Sequence, residues 1–81
     1  MKTSYKDFTF VQAFETKTTR IEMWVKPFGD NSFERVIRKV NLNNNNEFIV
    51  LDTHCYNEAM EMFYEILYLL KDNGVEIEHY Y

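Results

Sequence analysis

The stretch from residue 54 to residue 72, HCYNEAMEMFYEILYLLKD, is the only long helical pattern in this chain of 81 residues. At 100° per residue its apolar side chains fall within about 120° of arc, which is wide enough to cover a sheet. Asp52 or Thr53 is expected to cap its start, and Asn73-Gly74 to end it. The side predicted to face inward consists of Tyr56, Ala59, Met60, Phe63, Ile66, Leu67 and Leu70.

The opposite side of this helix mixes carboxylates with aromatic and apolar residues. The acids occupy one stripe, with two tyrosines on one flank and two apolar residues on the other. Such a surface suits a basic protein groove, because charge complementarity speeds association. The predicted protein-binding residues are Glu58, Glu61, Glu65, Asp72, Tyr64, Tyr68, Met62 and Leu69. The alternative is an ordinary solvated helix face.

Alternating apolar and polar residues predict strands on both sides of the helix. Four strands are expected at residues 5–16, 20–26, 33–42 and 47–52, and a fifth at 75–80. In the first, Phe8, Phe10 and Phe14 share a face. In the third, the buried face stays undecided between Val36 with Val40 and the opposite side, and a bulge is one solution.

These elements predict an α+β fold in the order β-β-β-β-α-β, as a single domain over residues 1–81. The expected architecture is an antiparallel sheet of four or five strands with one helix packed on one face. The last strand can lie beside the fourth strand or antiparallel to the first, and we favour the second arrangement. The sheet face away from the helix is expected to be uncovered.

The net charge differs sharply between the two parts of the chain. Residues 1–46 hold eight Lys or Arg and five acids, a net +3, whereas residues 47–81 hold one Lys and eight acids, a net −7. Such asymmetry points to charged partners, although opposite charges also help the two parts to assemble.

The second strand places basic residues and the only tryptophan on one side of the sheet. A basic face with a central aromatic holds single-stranded nucleic acid by phosphate attraction and base stacking. This alternative site comprises Arg20, Trp24, Lys26, Arg35 and Lys39, the last two joining if the third strand buries Val36 and Val40. Otherwise the face is solvated or forms a homodimer contact around Trp24.

No catalytic or metal-binding motif stands out in the sequence. Cys55 at the helix start, with His54 beside it and His79 near the end of the chain, is the only set that suggests a nucleophile. The spacing of these residues matches no zinc pattern. We therefore expect no enzymatic activity, no cofactor and no metal.

Other features of the sequence indicate the protein's setting. One cysteine excludes an internal disulfide, and the N-terminal segment has no apolar signal region, so a cytoplasmic location without membrane insertion is expected. The chain is rich in amino acids whose codons contain mostly A and T, namely Asn, Lys, Ile, Phe and Tyr. This composition suggests an AT-rich genome. The predicted role is a small intracellular binding protein, of the type phages use as an accessory or inhibitor of a host nuclease, toxin or defence complex.

Overall fold

Five antiparallel strands in one open sheet and a single helix make up residues 4–81, which the computed structural model describes. The first three residues, part of the N-terminal segment used to exclude a signal peptide, lie outside the described range. The predicted α+β class and element order are confirmed. The elements are β1 (Thr9–Glu15), β2 (Thr19–Pro27), β3 (Phe33–Asn41), β4 (Glu47–Thr53), α1 (Tyr56–Asp72) and β5 (His79–Tyr80), with β4-β3-β2-β1-β5 as the sheet order.

The helix α1 begins two residues later than the sequence pattern suggested. Its N-cap is Cys55, which makes no side-chain capping bond. The predicted caps precede this position: Thr53 instead accepts a hydrogen bond from the Cys55 backbone N–H at 3.1 Å. At the other end Gly74 has a φ of +79°, the left-handed conformation that glycine adopts without steric cost.

One face of α1 packs on the sheet as its apolar periodicity predicts, except at Tyr56 in the first turn, which was expected to face inward and is 57 % exposed. Phe63 meets Phe14 of β1 edge to face, with ring centroids 5.3 Å apart. Ile37 of β3 is fully buried beneath the helix. This core layer consists of Phe14, Ile21, Met23, Ile37, Ala59, Phe63 and Leu67.

A bulge at Val11 divides β1 between the two faces of the sheet. The register with β2 shifts between Phe10 and Gln12. Phe10 therefore contacts Trp24, whereas Phe14 packs under the helix against Phe63. The prediction that Phe10 and Phe14 share one face is wrong, because the extra residue changes the alternation.

Both faces of β3 are buried, which explains why its sequence left the phase open. Ile37 faces the helix, and Val36 and Val40 are buried on the opposite side. The opposite face is covered, contrary to expectation, by segments near the two ends of the chain. Tyr5 contacts Trp24, and Tyr81 lies over Arg20.

The fifth strand takes the position that the sequence analysis favoured. β5 pairs antiparallel with β1, with Glu15 opposite His79 and Phe14 opposite Tyr80. It has two residues where six were expected. Because it is so short, it ends near the C-terminal end of α1 and does not extend along the sheet.

Candidate functional site

The five residues of the predicted nucleic-acid site do not share a face. Register places Trp24 opposite Val36, so Arg20, Trp24 and Lys26 lie on the side away from the helix. Arg35 and Lys39 lie opposite Val25 and Ile21 on the helix side, and Arg35 stands over the ring of Tyr56 at 5.2 Å. The grouping fails because Val36 and Val40 are buried on the same side of the sheet as Trp24. Arg35 and Lys39, which alternate with these valines along β3, therefore point to the other side.

Trp24 is buried rather than exposed, with 2 % of its surface accessible. The ring of Phe10 meets it edge to face at 5.3 Å, and Tyr5 packs against it at 5.9 Å. Its indole N–H donates to Glu22 at 2.8 Å. A ring enclosed in this way cannot stack on a base or form the centre of a dimer contact, so the expected open face is wrong.

An ionic network, buried at Glu15, Arg20 and Glu22 and open at Glu47, lies beside Trp24 on this face. Arg20 donates to Glu15 at 2.9 Å and to Glu22 at 2.6 Å. Arg38 pairs with Glu47 at 2.7 Å. Its Nε lies 3.3 Å from Glu22 Oε1 without making a hydrogen bond. We call Glu15, Arg20, Glu22, Arg38 and Glu47 the ionic network.

Each ion of the network has an opposite charge within 3.3 Å. Burial alone would lower the pKa of Arg20, but its hydrogen bonds to Glu22 and Glu15 outweigh that effect, and its pKa is raised. The ring of Tyr81 covers this guanidinium at 4.7 Å, and the ring of Tyr5 covers that of Arg38 at 5.0 Å. The arginines on this face are therefore engaged internally.

Strand alternation in the sequence carries a signal for this network. Strand alternation already placed Glu22 between Arg20 and Trp24 on one face, and Arg38 with Val36 on one face. A carboxylate between an arginine and a tryptophan neutralises the cation and accepts the indole N–H. A basic face cannot be inferred from arginines alone when an acid occupies the same stripe.

A second charged group lies at the rim of the same face, where β3 and β4 are adjacent. The pKa of Glu34 is raised, first because its carboxyl shares a hydrogen bond with Asp52, and also through partial burial and the charge of Asp52. Lys26 and His54 oppose this shift by electrostatic attraction.

Within residues 4–81 no three His, Cys, Asp or Glu side chains cluster closely enough to hold a metal ion.

The residues considered for catalysis are not brought together. Cys55 precedes α1 at the sheet end where Thr53 pairs with Arg35. His79 pairs with Glu15, at the end of the sheet where Arg20 and Val40 lie. Cys55 and His79 therefore lie at opposite ends of the sheet, because the short β5 does not extend to the end where the helix starts.

The outer face of α1 retains the charge pattern that the sequence predicted. Six of the eight predicted residues are exposed, and Leu69 has 60 % of its surface accessible. Met62 and Tyr64 are half-buried against the core, and Tyr64 donates to Gln12 at 3.3 Å. No ion pair among residues 4–81 involves the helix acids Glu58, Glu61, Glu65 and Asp72.

The two flanks of this outer face point to opposite edges of the sheet. Tyr64 reaches Gln12 of β1, and Tyr68 stacks beside Tyr64 with centroids 6.2 Å apart. On the other flank Ile66 lines a groove together with Val50 of β4. Carboxylates therefore lie between an aromatic side and an aliphatic side.

No family model, curated protein or solved structure matches this chain. Within the described residues no helix combines the length and the apolarity that crossing a membrane requires.

Proposed function

We propose that this protein is a non-catalytic binding protein that docks a basic surface of a partner protein against the outer face of α1. The observation that carries the proposal is the set of four exposed carboxylates, Glu58, Glu61, Glu65 and Asp72, which have no ion-pair partner among residues 4–81. Exposed Tyr68 and Leu69 stand beside them and supply apolar contact area.

The acid pattern has a folding cost that no described contact offsets. Glu58 and Glu61 are three apart and Glu61 and Glu65 are four apart, spacings at which like charges destabilise a helix by about 0.2–0.5 kcal/mol per pair. Asp72 lies in the last turn, where the helix dipole favours a cation. Only Glu58, in the first turn, is placed favourably. A function in binding accounts for charges that folding does not require.

The two sets of acids in the molecule support this distinction. Glu15, Glu22 and Glu47 are all paired with arginines on the far side of the sheet. The helix acids face outward with no such partner among the residues that the structure describes, and they lie in the part of the chain that carries a net −7. Basic proteins that act on nucleic acid, such as a host nuclease, toxin or defence complex, have the complementary charge, and a phage-type inhibitor is the corresponding class.

A charge-reversal experiment with a matched control tests this proposal. The double variant Glu61→Lys/Glu65→Lys should weaken partner binding about 100-fold or more, because it replaces attraction by repulsion at the centre of the surface. The control Glu76→Lys/Glu78→Lys changes the net charge equally at exposed positions outside the helix, and should cost less than about 10-fold through long-range electrostatics.

The measurement is affinity capture from the native host, with and without nuclease, followed by titration of the captured protein at several salt concentrations. Binding should weaken as salt rises, because exposed charges are screened. Equal losses in both double variants, or no loss in either, would contradict docking on α1. Recovery of nucleic acid that disappears on nuclease treatment would favour the nucleic-acid alternative instead.

A further inference from the structure

One edge of the sheet is long and unpaired. β4 hydrogen-bonds only to β3, and its outer side meets no other strand within residues 4–81. The other edge, β5, has only two residues. An edge strand presents a row of free N–H and C=O groups that can pair with another strand. Only β4, with seven residues, can extend this sheet further.

The side chains of β4 suit the interior of a sheet better than its edge. Phe48, Ile49 and Val50 are 56 %, 50 % and 40 % exposed. Phe48 lies across from Lys39 on the helix side, and Ile49 lies across from Arg38 on the other side, so the strand is apolar on both faces. A strand that is apolar on both faces is usually covered on both faces, and a neighbouring strand would supply cross-strand contacts on each of them. Edge strands are usually protected by charged side chains, by Pro or by bulges; β4 has no Lys or Pro, and its charges, Glu47 and Asp52, flank the exposed apolar run and the bulge at Val50.

The apolar surface continues from β4 onto the helix. A groove of about 370 Å³ lies beside the C-terminal half of α1, where Ile66 and Leu70 face Val50 of β4; Lys39 of β3 and the turn between β1 and β2 contribute to its lining. The exposed Leu69 follows on the same flank of α1. A register shift between Ile37 and Arg38 marks a bulge at Val50, which is the one residue of β4 that lines this groove. The edge thus offers backbone pairing and an apolar groove together.

We propose that β4 pairs antiparallel with β4 of a second copy of this chain. The strand can pair with its own copy, because it is extended, apolar on both faces and unpaired along one side. A two-fold contact is closed, so it removes both free edges at once. A head-to-tail contact through β5 would offer only two residues for pairing. The dimer joins five strands from each copy into one continuous sheet.

The dimer has a consequence for the charged helices. In a continuous sheet the two copies of α1 lie on the same face, so both acidic surfaces are on the same side of the dimer. Each chain carries a net charge of −4, and the two copies therefore repel each other. Salt screens this repulsion, so dimerisation should strengthen as ionic strength rises. The proposed binding of a basic partner should weaken under the same conditions, and the two interactions are therefore distinguishable.

Sedimentation velocity over a range from about 1 µM to about 500 µM tests the dimer, since weak interfaces dissociate in this range. We expect a species of twice the monomer mass of 9.9 kDa at the upper end. Ile49→Lys places a charge on the edge and should reduce dimerisation at least about 30-fold. Tyr68→Lys adds the same charge on the opposite flank of α1 and should leave it within about 3-fold.

A cross-linking measurement covers the case in which a lysine variant fails to fold. With Cys55 changed to Ser, Val50→Cys should form a disulfide-linked dimer on mild oxidation, whereas Tyr68→Cys should not. Monomer mass at every concentration, a dimer unaffected by Ile49→Lys, or equal cross-linking at both positions would each overturn the proposal. A monomer that takes up an added extended peptide along β4 would assign this edge to a different partner, and would also overturn it.

Discussion

The two faces of the sheet are buried by different means. Under α1, apolar side chains such as Met23 and Ile37 meet Phe63 in a conventional hydrophobic layer. On the other face, Arg20 and Glu22 are equally buried but form ion pairs beneath aromatic rings. The first face is covered by one regular helix, and the second by short segments from near both ends of the chain.

This difference shows that a strand face with charged residues can be buried, as Arg20 and Glu22 are here. Ions are buried when opposite charges and hydrogen bonds satisfy them together. Residues 4–81 contain no second helix that could cover the sheet. Flat rings from Tyr5, Phe10 and Tyr81 cover the arginines instead, and cation–π contact adds to the hydrophobic effect.

The largest expected effect comes from the helix-covered face. Phe63→Ala should lower the free energy of unfolding by about 3–5 kcal/mol, because it removes a buried ring and leaves a cavity beside Phe14. Urea denaturation monitored by circular dichroism measures this loss. Leu69→Ala, on the exposed flank of the same helix, should change the value by less than about 0.5 kcal/mol. Similar losses for both variants would contradict the packing of α1.

A smaller loss is expected on the ionic face. Glu22→Gln keeps the side-chain shape but removes the charge shared by Arg20 and Arg38, so it should cost about 3 kcal/mol. The low end of the range for broken buried pairs applies, because each arginine retains one other carboxylate. Glu61→Gln on the exposed helix face is the control, expected within about 0.5 kcal/mol. If Glu22→Gln left the free energy of unfolding unchanged, water would have to reach the network.

The cover of the ionic face should contribute less than the network itself. Tyr5→Ala removes one half-buried ring from Trp24 and Arg38, and a loss of about 1–2 kcal/mol follows from the smaller area and the lost cation–π contact. Trp24 fluorescence should also shift to longer wavelength as water approaches the indole. Tyr68→Ala is the control, with no shift expected. An unchanged Trp24 spectrum in Tyr5→Ala would contradict the role of Tyr5 as cover.

The smallest effect concerns pH at the rim of the ionic face. Since the folded-state pKa of Glu34 is raised above its ordinary value of 4.5, its contribution to stability is present below that value and is lost as pH rises through the folded-state pKa. Glu34→Gln cannot titrate, so its stability should decline less than that of the unaltered chain over this window. Urea denaturation at a series of pH values measures the two slopes. Equal slopes would show that Glu34 and Asp52 share no proton.

Some features were predictable because neighbouring residues determine them. The helical spacing of Phe63 and Leu67 gave the buried side of α1, and Gly74 gave its end. The strand order followed from turn residues, and the favoured place of the last strand beside β1 is correct. The side assignment of Phe10 was wrong because the bulge at Val11 reverses alternation, and a bulge depends on pairing with β2.

By itself, the sequence determined the α+β class, the order of the elements, the inward side of α1 and the stripe of carboxylates on its outer side. These properties follow from periodicity along short segments, because the position of a residue in the sequence determines which side of a helix or strand it lies on. Only the tertiary structure decided that Trp24 is enclosed, that Arg20 and Arg38 are neutralised within the chain, and that β4 is left at an open edge. Alternation along β2 indicates that Glu22 lies between Arg20 and Trp24, but the enclosure itself depends on contacts between residues far apart in the chain, such as Tyr81 over Arg20.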